Sequence, residues 1–151
     1  MYDIPVTHPL INHFPIAFLL LAGGTVLVWL LTGRPFWRQS TLLLTALGAA
    51  ATVAAIVTGN TMKEFSGGRA IVKQLVERHK FLAYGSLITA SIALLTLLGV
   101  RWWAHRSHNN QFVDSFKVRL VVSVLLVIAA ILVGLTGHLG GTMTWGELSL
   151  K

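Results

Sequence analysis

Leu120-Val121-Val122-Ser123-Val124-Leu125-Leu126-Val127-Ile128-Ala129-Ala130-Ile131-Leu132-Val133-Gly134-Leu135-Thr136-Gly137 carries no charged side chain. A run of about 20 predominantly apolar residues is long enough to cross the hydrocarbon core of a bilayer as a helix. The uncharged stretch that contains this run continues to Gly146, and three others resemble it: Ile4 to Gly33, Gln39 to Met62 and Phe81 to Val100. Charged residues sit in clusters between them. The pattern predicts an all-α membrane protein, an antiparallel up-and-down bundle of four transmembrane helices in one domain covering residues 1–151. The expected spans are about 14–32, 40–60, 80–100 and 118–138, with an amphipathic helical lead-in over about 69–79.

Composition agrees. The chain is 54% hydrophobic and 11% charged, where a soluble domain carries about a quarter charged residues. No soluble domain fits in what the spans leave over. The net charge of +7 does not point to nucleic acid. The basic residues lie in loops beside spans, where Lys and Arg set orientation and meet lipid headgroups. The absence of cysteine excludes disulfides, thiolate metal sites, covalently attached c-type haem and Cys-ligated iron–sulfur clusters. The N-terminus lacks the basic region and cleavage site of a signal peptide, so the first span is expected to remain in the mature protein.

Orientation follows from loop charge. One side holds Arg34, Arg38, Arg101, Arg106, Lys117 and Arg119; the other holds Lys63, Arg69, Lys73, Arg78, Lys80 and Lys151. The counts tie, but short loops weigh most, and the second side owns the long 60–79 loop. Trp29, Trp37, Trp102 and Trp103 gather on the first side as an aromatic belt would. The expectation is a multi-pass protein of the bacterial inner (plasma) membrane, with both termini outside the cytoplasm.

The chain reads as two parallel two-helix repeats. His13-Phe14, a span, Gly33-Arg34 and a second span ending Thr58-Gly59-Asn60 match His79-Lys80-Phe81, a span, Gly99-Val100-Arg101 and a span ending Thr136-Gly137-His138. Repeats of this kind are related by an axis along the membrane normal. They would make His13 and His79 equivalent, on diagonal helices. Ala46, Ala50, Ala54, Ala51, Ala55 and Gly59 give the second helix small faces, which serve close packing.

Four of the six histidines fall where spans meet one side of the membrane: His8, His13, His79 and His138. Ionisable residues at membrane depth are costly and mark functional sites. Neutral imidazole is the commonest protein ligand for metals and a frequent one for haem iron. On the lead-in helix Lys73, Glu77 and Lys80 form a stripe, and His79 lies about 120° from its middle, on a face with Val72, Leu75, Val76 and Ala83. Arg78 and Lys80 beside it oppose a proton on the ring. Pro15 suits a first helical turn, so Thr7-His8-Pro9 is expected to open a short turn and the spanning helix to begin near His13. The residue one turn deeper than each ligand candidate is small, namely Ala17 after His13, Ala83 after His79 and Gly134 before His138, as a planar porphyrin would require. The competing reading of each histidine is plain: a cap, a headgroup contact or a solvated side chain. His105 and His108 belong to a solvated, headgroup-facing cluster, and Met62 and Met143 are alternative soft ligands.

The spans hold no acidic residue, no HExxH and no Gly-x-Ser-x-Gly, which argues against hydrolase and proton-coupled transport chemistry. Three readings remain. The first is b-type haem, one or two, held by histidines and transferring electrons between a quinone or a redox protein outside the cytoplasm. Arg69, Arg78, Lys63 or Lys80 would then pair with propionates, and Asn12 or Asn60 would orient a ligand ring. The second is a non-haem metal-binding membrane protein. The third is a cofactor-free structural subunit of a larger complex; a homodimer is open under all three.

The segment His8-Pro9-Leu10-Ile11-Asn12-His13-Phe14-Pro15-Ile16-Ala17 resembles the opening motif of an uncharacterised bacterial family of four-span predicted membrane proteins. Thr136-Gly137-His138-Leu139-Gly140-Gly141 resembles its closing motif. The resemblance implies a small four-helix membrane protein, sometimes found near electron-transfer proteins, with His8, His13, His79 and His138 as ligand positions. Asn60 stands where a second-half histidine would be, so a symmetric two-haem scheme does not follow from it.

Overall fold

The structure is a computed structural model that describes residues 7–63, 70–108 and 112–145. Four helices account for almost all of them: α1 (Thr7–Thr32), α2 (Pro35–Lys63), α3 (Ala70–Ser107) and α4 (Phe116–Trp145). No strand occurs among the described residues. At about 1.5 Å per residue the helices are roughly 39–57 Å long, against a hydrocarbon core of about 30 Å. All four carry apolar windows long enough to cross it.

α1 packs on α2 and α4, and α3 packs on α4 and α2, so the helices form a ring with α1 and α3 on one diagonal. The α2–α3 seam is the thinnest of the four. The starts of α1 and α3 and the ends of α2 and α4 share one end of the bundle. The α1–α2 turn and the α3–α4 loop share the other.

α1 begins at Thr7, not near His13, and runs through Pro15. Pro9 falls in the first turn, where its missing N–H costs nothing. Pro15 sits inside the helix, a position that membrane helices tolerate when neighbours re-satisfy the freed carbonyl. The earlier start places His8 within the first turn of α1. At the far end, Gly33 (φ +64°) closes α1 with its N–H on the Trp29 carbonyl at 2.8 Å. Pro35 then opens α2, where proline is favoured.

The outer surface is apolar: Leu31, Phe36, Leu95 and Phe81 are among the most exposed side chains. The interior is small and partly polar, with Thr41, Thr45, Thr52, Ser86, Ser123 and Thr136 buried. Since lipid is as apolar as leucine, close packing and interhelical hydrogen bonds hold such a bundle together. Gly23 lets α1 approach Ala130 of α4, and Gly48 lets α2 approach Leu19 of α1; a Cβ at Gly48 would stand 2.6 Å from Leu19 Cδ2. Thr41 donates to Thr25 Oγ1 at 3.2 Å. Around the fully buried Trp29 pack Val26, Ala93, Leu97, Val118, Val122 and Leu126.

A polar clamp locks the loop end. Asp114 accepts from Trp29 Nε1 (3.3 Å) and from Arg38 Nη1 (2.8 Å). Arg119 of α4 donates to the Leu30 carbonyl at 2.7 Å and to the Trp29 carbonyl at 3.3 Å, satisfying the last turn of α1. With the loop end fixed in this way, the opposite end carries four of the six histidines, His8, His13, His79 and His138.

Candidate cofactor site

His8 and His79 are the two histidines that turn into the bundle. His8, half-buried on α1, places Nδ1 3.1 Å from Thr58 Oγ1 on α2. The Thr58 hydroxyl itself donates to the Ala54 carbonyl at 2.9 Å. Its one proton is thereby committed to its own helix, and the Nδ1–H of His8 donates to the oxygen. His79, half-buried on α3, donates Nδ1–H to the Thr136 carbonyl of α4 at 3.0 Å. A carbonyl can only accept, so this tautomer is fixed by chemistry. In His79, Nε2 then carries the lone pair that a metal ligand needs, while His8 has the Ala55 carbonyl of α2 as a partner beside Thr58.

The two rings sit at the same end of the bundle, on diagonal helices. Asn12, one turn after His8, brings Nδ2 to the same place: a Cβ on Gly140 would meet His79 Cε1 at 3.4 Å and Asn12 Nδ2 at 3.8 Å. Gly59 makes room for His8; a Cβ there would stand 2.9 Å from the ring's Cε1. Each imidazole is thus laid against a glycine of the helix it bonds to. Two turns beyond His79, and on the same face by helical spacing, Ser86 Oγ is fully buried with no hydrogen-bond partner among the described residues.

The other two candidates stand elsewhere. His13 is exposed. Five residues of helix turn it about 140° from His8, so one helix cannot aim both rings inward. His138 is exposed as well and faces outward between α3 and α4, beside Arg78. Ala17 is exposed on His13's side of α1. Ala83 is half-buried one turn beyond His79, and Lys80 is half-buried next to it. A Cβ on Gly134 would meet nothing within 4 Å. Asn60 is exposed. Among the described residues, no third His, Cys, Asp or Glu joins the pair to form a metal-holding group. Lys63, Arg69 and Met62 fall outside the residues whose side chains are described.

Thr58 and Thr136, which orient the two rings, are residues that the sequence marks only as part of the repeated Thr-Gly that ends spans two and four. The repeat aligns His13 with His79, whereas the ring that bonds the first Thr-Gly is that of His8. His8 bonds Thr58 in the first half, and His79 bonds Thr136 in the second. Residues 4–147 match the family described as Predicted membrane protein (DUF2231). The chain belongs to this family. No curated protein and no solved structure matches it. Membership agrees with four membrane-spanning helices and assigns no reaction.

Proposed function

We propose that the protein is a membrane-embedded b-type haem protein in which His8 and His79 would hold the haem iron, with electron transfer as the role. The observation that carries this reading is the pair itself: two imidazoles from diagonal helices, each tied through Nδ1 to a neighbouring helix. Metal-ligating histidines characteristically donate their other ring N–H to a fixed acceptor, which sets tautomer and orientation and raises basicity. A haem iron already holds four pyrrole nitrogens, so a two-histidine donor set completes it. A bare zinc or copper ion would need further protein ligands, and the pair acquires none among the described residues. This favours haem over the non-haem metal reading.

When bound, such a haem supplies one-electron chemistry with no open coordination position. The chain's own residues do the rest. Thr58 and the Thr136 carbonyl hold the rings. Gly59 and Gly140 let the rings lie close against α2 and α4, and Lys80, half-buried next to His79 in the chain, would pair with a propionate. The electron partners in this reading are a quinone in the bilayer and a redox protein outside the cytoplasm. The site end of the bundle, with both termini, faces outward from a bacterial plasma membrane.

One observation favours a cofactor-free structural subunit instead: both Nδ1 bonds already join helices, α1 to α2 and α3 to α4. Colour separates the two. The detergent-purified protein is expected to show Soret and α bands that sharpen on reduction. His8→Ala and His79→Ala should each lose them, and His13→Ala should keep them. A colourless wild type, or bands that survive His79→Ala in a protein with wild-type circular dichroism, would overturn the haem reading.

A further inference from the structure

Between α3 and α4, on the outside of the bundle, lies a groove of about 550 Å³. Its walls are apolar, formed by Phe81 and Leu82 of α3 and Leu135 and Leu139 of α4. Its far end is polar, where Gln74, Glu77, Arg78 and His138 meet. The spacing explains the arrangement. Gln74, Glu77, Arg78 and Phe81 are i, i+3, i+4 and i+7 on one helical stripe, and Leu135, His138 and Leu139 are i, i+3 and i+4 on the stripe facing it. The groove opens where the charged lead-in of α3 passes into its apolar run, at the boundary between headgroups and hydrocarbon. No residue of α1 or α2 lines it, so an occupant enters sideways from the membrane.

We propose that this groove binds the ring of an isoprenoid quinone. Ligand sites are concave, mostly apolar and supplied with a few convergent polar groups, in the range of about 300–1,000 Å³. Arg78, Gln74 and His138 can donate to the carbonyl oxygens of the oxidised ring. Glu77 and His138 can accept from the hydroxyls of the reduced one. Phe81, 77% exposed, offers a face for ring stacking. The isoprenoid tail leaves along Leu135 into lipid. A phospholipid headgroup would share the arginine and histidine but has no planar ring to lie on Phe81. Arg78 immediately precedes His79, so the groove flanks the helix that carries the inner imidazole. The assignment rests on the electron-transfer reading only for the use made of the quinone; binding stands on the groove's own chemistry.

The test is calorimetric titration of the full-length protein in detergent with decylubiquinone. The expectation is saturable binding at one per chain. Leu135→Trp, which fills the groove from its apolar wall, should weaken binding by about tenfold or more. His138→Ala, which removes one hydrogen-bonding group, should weaken it about three- to tenfold. Folding of both variants is checked by circular dichroism and size exclusion. No binding to the wild type, or unaltered binding to both folded variants, overturns the assignment. So does displacement of the quinone by equimolar phosphatidylglycerol, which would make the groove a lipid site. The visible spectrum of the same samples separates this claim from the haem. Loss of quinone binding in Leu135→Trp with a wild-type spectrum supports the groove, and a colourless protein whose quinone binding falls in both variants supports it while ending the haem reading.

Discussion

Gly59→Ala tests the geometry of His8 directly. The added methyl would stand 2.9 Å from His8 Cε1, where carbon atoms prefer about 3.5–4.0 Å. The ring must therefore retreat by about 0.6–1 Å. His8 Nδ1 is already 3.1 Å from Thr58 Oγ1, so that retreat carries it beyond hydrogen-bond range. The lost bond costs about 1 kcal/mol, and alanine returns about 1 kcal/mol of helix propensity over glycine. Thermal stability should then stay near wild type while the ligand ring loses its orientation. On the proposed haem reading, a 1 kcal/mol loss in ligand placement corresponds to about a fivefold weaker hold on haem. Gly140→Ala is the contrast. Its methyl would meet His79 Cε1 at 3.4 Å, close to ordinary contact, and leave the bond to the Thr136 carbonyl intact. The same propensity gain should raise Tm by about 2–4 °C with haem retained. The assay is haem-to-protein ratio together with thermal unfolding in detergent. If Gly59→Ala kept full haem and an unaltered spectrum, or if the two variants behaved alike, the reasoning about His8 would fail.

Three further outcomes follow from the contacts. Thr58→Val removes the acceptor of the His8 N–H, lowering ligand basicity; a redox titration should show the midpoint potential move upward, while Thr136→Val, which keeps the carbonyl that holds His79, leaves it in place. Asp114→Asn breaks an ion pair with Arg38 whose side chains are 22% and 33% exposed, so the loss should be only about 1 kcal/mol; Tm falls slightly and the visible spectrum is unchanged, because the clamp lies at the opposite end. Gly33→Ala forces a side chain into φ +64° against Arg119 Nη1 at 3.0 Å; it should cost about 1–2 kcal/mol, read as a lower Tm with unaltered spectrum.

The fold was legible because the bilayer sets a length, and four uncharged runs meet it. The ring order, with α1 and α3 diagonal, follows from short connections and alternating direction. The site was legible as a layer and not as a pair. His79 could be placed from its own helix, since Leu75, Val76 and Ala83 share its side and the charged stripe lies away from it; in the structure all three are half-buried, as is His79. His8 could not be separated from His13 by the repeat, which aligns His13 with His79 through equal distances to the following Gly. The information needed was the start of α1. Pro15 reads most simply as a first-turn proline, yet the helix begins eight residues before it and absorbs it in its interior. Once Thr7 opens the helix, the 140° between the two rings decides which faces inward. Thr58 and Thr136 were hidden for another reason. One acts through its side chain and the other through its backbone, and a backbone carbonyl leaves no mark in the sequence.

That difference bears on how the two halves diverged in use. At the loop end the groups that hold the halves together find protein partners: Asp114 takes both Trp29 and Arg38, and Arg119 takes the last carbonyls of α1. At the other end each half ties one imidazole to its own second helix, His8 to Thr58 and His79 to the Thr136 carbonyl. A purely structural pair would gain most by bonding to each other or to the opposite half, because a polar atom without a partner is expensive inside a membrane protein. Instead both bonds stay within their own half, His8 with α2 and His79 with α4, and the α2–α3 seam between halves is the thinnest contact in the ring. Two rings oriented rigidly from opposite halves, beside the thinner of the two seams that join those halves, would suit an inserted group that bridges them. On the proposed haem reading, stripping the haem should therefore lower the Tm of the bundle in detergent, and a wild-type Tm after extraction would count against it.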